Sequence, residues 1–325
     1  VGAGAKVKGR FSVTIQQYRY DDTSAPELIN QPGSLVALLD AVLVNGYGGK
    51  PSLGWSIAYS DTYKRVYRQP VWSAGQRYLR VDDNYVNGTF RYAVVRGYES
   101  MTGIDTGTQP FPTTTQKPDA DTTWLYFYNI SGSGVPWKIY GDDTDYALFY
   151  FFAEQYWNYR QSIHYFGDFY SYNQNDAYRC LLGAYKFYNT ITNDANANPV
   201  ALDVSSNLFV PRNYTQTGSA SDIRLGTALF YCGGSGRIGD SSYPAVYPNL
   251  TDNALHFFPV WLYHDTPART IRGILPGLYA PAHDKPLNEG DTFTDALSRT
   301  YVAHRVKSYT YDGMAFIRTD SWGVM

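Results

Sequence analysis

The chain has 325 residues, 44% of them apolar and 17% charged, with 27 Lys and Arg against 29 Asp and Glu. That length and apolar content suffice to bury a core without disulfide staples, and they exclude a disordered chain. A formal net charge of −2, with the basic residues scattered along the chain, argues against a nucleic-acid partner, whose recognition needs a basic stripe.

The first predicted element is a helix at "GSLVALLDAVLVNG", residues 33 to 46. Leu35, Leu38, Leu39, Val42 and Leu43 fall on one face; Ser34 stands where a cap belongs, and Asn45-Gly46 can supply the left-handed stop. After it the chain reads as strands broken by turns. "QRYLRVDDN" and "FRYAVVRGYES" flank Asn87-Gly88, the strongest short hairpin signal. Further strands are expected at "TWLYFYNI", "WKIYGD", "YALFYFFAEQYW", "IHYFGDFYSY", "AYRCLLGAY", "GTALFYCG", "ALHFFPVWLYH", "TIRGILPGLY", "RTYVAHRVKSYTY" and "GMAFIRTDSW". Of these, "YALFYFFAEQYW" is ambiguous, because its Ala-Glu-Gln-Tyr also suits a helix. The expected fold is mainly β: antiparallel sandwich-like or barrel-like sheets with one amphipathic helix at about 34–45.

Two polar stretches, 101–123 and 189–206, read as linkers or long surface loops. They suggest an N-terminal helix and hairpin region over 1–110 and a β-rich region over 111–325, with a division into two lobes near 189–206. No internal repeat of fixed period is visible, which disfavours a solenoid or propeller. The start "VGAGAKVKGRF" shows no apolar signal core, and no apolar run approaches the ~18 residues of a membrane span, so a soluble chain with no membrane partner is expected.

The motifs that carry chemistry elsewhere fail here for local reasons. "GSGRIG" (Gly234–Gly239) has the spacing of a phosphate-cradling loop, but the following "DSSYPAVYPN" has two prolines and no helical period, so no helix N-terminus would meet a pyrophosphate. The histidines, His164, His256, His264, His283 and His304, form no metal-binding pair, and Cys180 and Cys232 stand alone in apolar runs as expected buried thiols. No Gly-x-Ser-x-Gly elbow occurs. Asp82-Asp83 and Asp142-Asp143 with Asp145 could serve a glycosidase or hold calcium, although acids in turns more often cap local N–H groups. Four glycosylation-type sequons, at Asn87, Asn129, Asn213 and Asn249, read as chance in an Asn- and Thr-rich chain. The expectation is no cofactor and no metal. "RGILPGLYAPAHDKP" (272–286) brings His283, Asp284 and Lys285 together, with Glu289 and Asp291 close by, but Pro276-Gly277, Pro281 and Pro286 give it the grammar of a structural loop.

What stands out is tyrosine: 32 of them, more than the 29 glycines. Tyrosine suits a half-buried pleated surface and offers a rigid contact area with a polar tip, good material for wet interfaces. The Tyr-rich strands "FGDFYSY" and "KSYTYDG" nominate Tyr165, Phe166, Phe169, Tyr170, Tyr172, Tyr309 and Tyr311 as a candidate interface.

In order from about residue 33 to the end, "GSLVALLDAVLVNGYG", "GW", "VYR", "YLRVDD", "VRGYESMTGIDTGTQPFPT", "FGDFYSYNQNDAYRCLLG", "YPNLTDNAL", "RGILPGLYAPAHDKPLNEGDTF" and "FIRTDSW" resemble a family of uncharacterised virion structural proteins from tailed bacteriophages and prophages. The chain departs from that pattern at "GGKPSLGW", where relatives often carry a small extra β module, and in aromatic insertions around 145–165. The resemblance carries over no catalytic residue. It implies a non-enzymatic virion component, assembled in the bacterial cytoplasm as a homo-oligomer with other phage proteins, in the tail, baseplate or neck. Two other roles stay open: a tail-tip receptor protein that binds or cleaves host-surface glycan, with Asp142 and Asp145 as its acids, and a capsid decoration protein.

Overall fold

A computed structural model describes residues 15–71, 73, 75–87, 90–116, 122–128, 134–155, 160–183, 208–218, 221–222, 224–226, 246–264, 270–283, 286–307 and 312–322. In chain order, β1 (Gln16–Arg19) and helix α1 (Ser34–Leu39), which runs on as a π-helical turn over Asp40–Asn45, precede six strands: β2 (Ser56–Ser60), β3 (Lys64–Arg68), β4 (Tyr78–Asn87), β5 (Phe90–Met101), β6 (Gly107–Phe111) and β7 (Thr123–Tyr128). Then come β8 (Trp137–Gly141), β9 (Phe149–Gln155), β10 (Arg160–Asp168), β11 (Tyr170–Ser171), β12 (Cys180–Gly183), β13 (Leu208–Val210), β14 (Ser221–Asp222) and β15 (Arg224–Gly226). The last strands are β16 (Phe257–His264), β17 (Thr270–Pro281), β18 (Thr292–Thr294), β19 (Thr300–Lys307) and β20 (Asp312–Arg318).

The protein is mainly β and antiparallel, as the composition and turn pattern predict. Among the described residues β2 to β7 form one sheet and the other strands form a second, larger one, and neither closes into a barrel. β4 and β5 form the expected hairpin, pairing down to Asn87↔Phe90. Within the stretch 101–123, Gly107–Phe111 forms β6, which pairs with β5, and Thr123 opens β7, which pairs with the other end of β5.

The two sheets share a core. Trp55, Tyr67, Leu79, Val81, Val95, Phe111 and Trp124 of the smaller sheet region pack on Trp137, Phe149, Phe151 and Phe166 of the larger, with α1 sealing one side. A second core lies behind β9 and β10, where Tyr150, Phe152, Ile163 and Tyr165 meet Val260, Leu262, Leu275, Leu278 and Ile317. Along β9, Phe149, Phe151 and Ala153 therefore serve the first core, and Tyr150 and Phe152 the second. A strand buried on both faces reads as one continuous apolar run, and "YALFYFFAEQYW", whose Ala-Glu-Gln-Tyr also suits a helix, forms the strand β9 over Phe149–Gln155.

The segment that runs from β10 into β11 forms a corner of the larger sheet. It pairs with β9 along most of its length, with β19 at Gln161↔Lys307, with β12 near its end, and with β17 through Tyr170↔Ile274. Gly167 allows the bend: its φ is 148°, and a Cβ there would lie 2.2 Å from the Leu148 Cα.

The helix spans the predicted residues, but Ser34 is not its cap. Gly33, at φ 81°, occupies the N-cap, and the Ser34 hydroxyl instead accepts from the Ile29 N–H (2.8 Å) and donates to Glu27 O (3.2 Å). The capping acceptor comes from β4: Asp83 Oδ2 receives the N–H groups of Leu35 (2.8 Å) and Val36 (3.4 Å). At the other end Gly46 stops the helix as predicted, donating to Ala41 O (2.7 Å). The wider π-turn leaves the carbonyls of Val42 and Leu43 to accept from the N–H groups of Leu53 (3.0 Å) and Trp55 (2.9 Å), which seats the chain entering β2.

Candidate functional site

The best-defined polar assembly joins the turn after β11 to β17. Arg272, the one charged residue on β17, grips Asp176 with Nε (2.9 Å) and Nη2 (3.0 Å), and both side chains are almost wholly buried. Ser171 Oγ donates to the same carboxylate (2.9 Å), and Arg272 also donates to Tyr178 O (3.1 Å) and Arg212 O. Gly273 makes this approach possible, because a Cβ there would meet Tyr170 O at 2.0 Å. Burial alone would raise the Asp176 carboxyl, but the hydrogen bonds and charge of Arg272 hold it below its ordinary range.

The clamp fixes what lies on the outside. The Tyr178 ring packs against two guanidinium groups, Arg212 at 4.4 Å and Arg77 at 5.2 Å from its centroid. Arg212 in turn pairs with Glu99 of β5 (2.8 and 3.2 Å), and Arg77 donates to Ala177 O (2.8 Å), so the turn is tied to the smaller sheet as well. Tyr170 and Tyr172 pack edge to face with centroids 5.8 Å apart, and Tyr172 is 51% exposed. A rigid turn thus presents an aromatic surface whose backbone is already ordered, the arrangement that lowers the entropic cost of association.

Only part of the nominated interface lies there. Tyr170 is half-buried and Tyr172 exposed. Tyr165, Phe166 and Phe169 are wholly buried: Phe166 belongs to the core between the sheets, Tyr165 and Phe169 to the core behind it. They are corrected from contact residues to core, because both faces of β10 at Tyr165 and Phe166, and Phe169 just beyond it, are covered by the two cores. Tyr309 and Tyr311 lie outside the described residues, as do Cys232, Gly234–Gly239, Asp284, Lys285 and 189–206.

The acid groups considered for sugar chemistry make local contacts. Asp142 caps its own turn, accepting from the N–H groups of Thr144 (2.9 Å), Asp145 (3.0 Å) and Tyr146 (2.6 Å). Burial, and next the charge of Asp142, push the Asp143 carboxyl up. Asp82 pairs with Lys64 and Arg80 at 3.4 Å. Asp83 is buried and also accepts a hydrogen bond from the Tyr126 hydroxyl; burial pushes its carboxyl up to about 7 against the pull of that bond, the helix N–H groups and Arg91.

The loop that raised the question of an active site is likewise occupied by structure. His283 is buried, and its Nε2 accepts the His256 N–H (2.9 Å), while His256 pairs with Asp252 (2.8 Å). Asp291 accepts from the Asn288 N–H (2.8 Å). Cys180 is a buried free thiol, raised well above its ordinary value by burial. Among the described residues no three metal-ligating side chains converge, and no helix is long and apolar enough to cross a membrane, which says nothing about strands.

Sequence reasoning missed Arg272, Asp176, Tyr178 and Arg212. One signal was available: an arginine inside the apolar strand "TIRGILPGLY" needs a buried anion, since an unpaired charge there is prohibitively costly. No family model matches the chain, and no curated protein matches it.

Proposed function

We propose that the chain is a non-enzymatic structural protein of a tailed-phage particle, placed in the tail, baseplate or neck, that works by packing against copies of itself and neighbouring virion proteins. The observation that carries this reading is the clamped turn: a buried ion pair and a guanidinium-stacked tyrosine hold a rigid surface from which Tyr172 points outward. The segments behind the resemblance to phage virion proteins support it too, because they meet at the joints of the fold. "FGDFYSYNQNDAYRCLLG" supplies Asp176 and "RGILPGLY" supplies Arg272; "YLRVDD" supplies the Asp83 that caps "GSLVALLDAVLVNGYG"; and Glu99 of "GYES" holds Arg212. Their charged groups are spent on joining layers, which suits a protein selected for a shape.

The test is sedimentation velocity on the purified chain and on Tyr172→Ala, with polysaccharide turnover assayed in parallel. Concentration-dependent self-association that Tyr172→Ala weakens by tenfold or more is expected. Polysaccharide cleavage by the monomeric chain, lost on Asp142→Asn, would replace this reading with that of a glycan-cleaving tail-tip protein.

A further inference from the structure

A second polar assembly joins β19 to β8. Among the described residues β10 and β19 pair at Gln161↔Lys307, and β8 is not a neighbour of β19 in the sheet. A chain of side chains connects β8 and β19 instead. His304 of β19 is wholly buried, with Nδ1 2.8 Å from Glu289 Oε1 and Nε2 2.9 Å from the Tyr140 hydroxyl of β8. Since a carboxylate only accepts, Nδ1 carries the proton and Nε2 accepts from Tyr140. Glu289 also receives Lys138 Nζ of β8 (2.7 Å) and the Arg305 N–H (2.6 Å). The strap over 286–291 that carries Glu289 is stitched to β19 by the Gly290 N–H on Ala303 O and the Ala303 N–H on Asp291 O, each 2.8 Å, and Leu287 packs on the aromatic cluster outside β19 and β20.

We propose that the Tyr140–His304–Glu289 chain is an acid-releasable latch, which ties the 286–291 strap and β19 to β8 at neutral pH and lets the strap lift when the imidazole and carboxylate take up protons. The geometry sets the direction. The ring lies 4.4 Å from Phe152 and out of contact with water, so an imidazolium formed there would be poorly solvated until the strap moves. The charged groups facing it are Glu289, which favours the imidazolium, and Lys138 and Arg19, which oppose it; Tyr140 is the neutral partner. Burial, first among these influences, leaves His304 below its ordinary value, while hydrogen bonds from His304 and Lys138 outweigh burial at Glu289 and hold it at about 2. Both groups bind protons more tightly once released. The closed latch therefore weakens as pH falls below about 6.5 through the imidazole, and further below about 4.5 through the carboxylate.

Hydrogen exchange, corrected for the intrinsic rate at each pH, reads this directly. Between pH 7.5 and 5.0, protection of the Gly290, Ala303 and Arg305 amides is expected to fall about tenfold or more, while the Leu79 and Val81 amides of β4 show no such fall. His304→Gln should abolish that fall. Glu289→Ala should show the lowered strap protection already at pH 7.5, and it decides the matter if His304→Gln does not fold. Unchanged protection in the wild type, an undiminished fall in His304→Gln, or full protection in Glu289→Ala would each overturn the latch.

Discussion

The middle of β9 and the β11–β17 clamp hold the same layers together by opposite means. Around β9, Phe149 and Phe151 meet Trp55 and Trp124 ring against ring on one face, while Tyr150 and Phe152 meet the largely apolar second core on the other. At the clamp, buried opposite charges and backbone carbonyls meet at fixed angles. The first kind of contact supplies free energy in proportion to area and tolerates small shifts. The second supplies little net energy, because desolvation offsets attraction, but it accepts one geometry. An aromatic core stabilises the sandwich, and polar joints set where its layers stop sliding.

That contrast can be broken at either end. Phe149→Ala should cost most, about 4 kcal/mol in urea unfolding, through lost burial and an unfilled cavity between the sheets. Arg272→Ala should cost about 3 kcal/mol by leaving Asp176 buried and unpaired, whereas the double change Arg272→Met with Asp176→Leu should recover most of that loss. If the double variant is as unstable as the single one, the clamp contributes energy and the division of labour fails.

Asp83 sharpens the comparison because it is a polar joint inside the aromatic core. Its folded carboxyl titrates near 7 against an ordinary value near 4, so between those values the folded state holds a proton the unfolded state has released. This group's contribution is complete below about pH 4 and is lost as pH rises towards 7, a change of the order of 3 kcal/mol. Asp83→Asn cannot ionise, and the difference between its stability curve and that of the wild type should trace that loss; parallel curves from pH 4 to 7.5 would show that Asp83 is ionised throughout. Asp142→Ala, which strips the cap from a turn near the surface, should cost about 1–2 kcal/mol. Tyr172→Ala should change unfolding by less than about 0.5 kcal/mol, so any effect on assembly is separable from folding.

The parts legible in the sequence were those with a local signature. Asn87-Gly88 announced its hairpin, Gly46 the end of the helix, and alternation or apolar runs most of the strands. Ser34 had the right chemistry for a cap, yet the acceptor came from Asp83, 48 residues from Leu35. The clamp joins residues 96 apart and the latch residues 164 apart, and no pattern within either segment shows its partner. The misplacement of Tyr165, Phe166 and Phe169 has the same root: a strand's composition does not tell whether a second layer will cover its far face. β6 was overlooked because Gly107 and Pro110 in "GTQPF" argue against a strand, and its pairing with β5 decides its conformation.

The claim that the clamped turn is a contact between subunits meets its most direct test in an electron-microscopy map of the intact particle with this chain built into it. The account predicts several symmetry-related copies, with Tyr172 covered by a neighbouring chain. A particle that lacks the chain, or copies in which Tyr172 faces open solvent while other surfaces make the contacts, would contradict it.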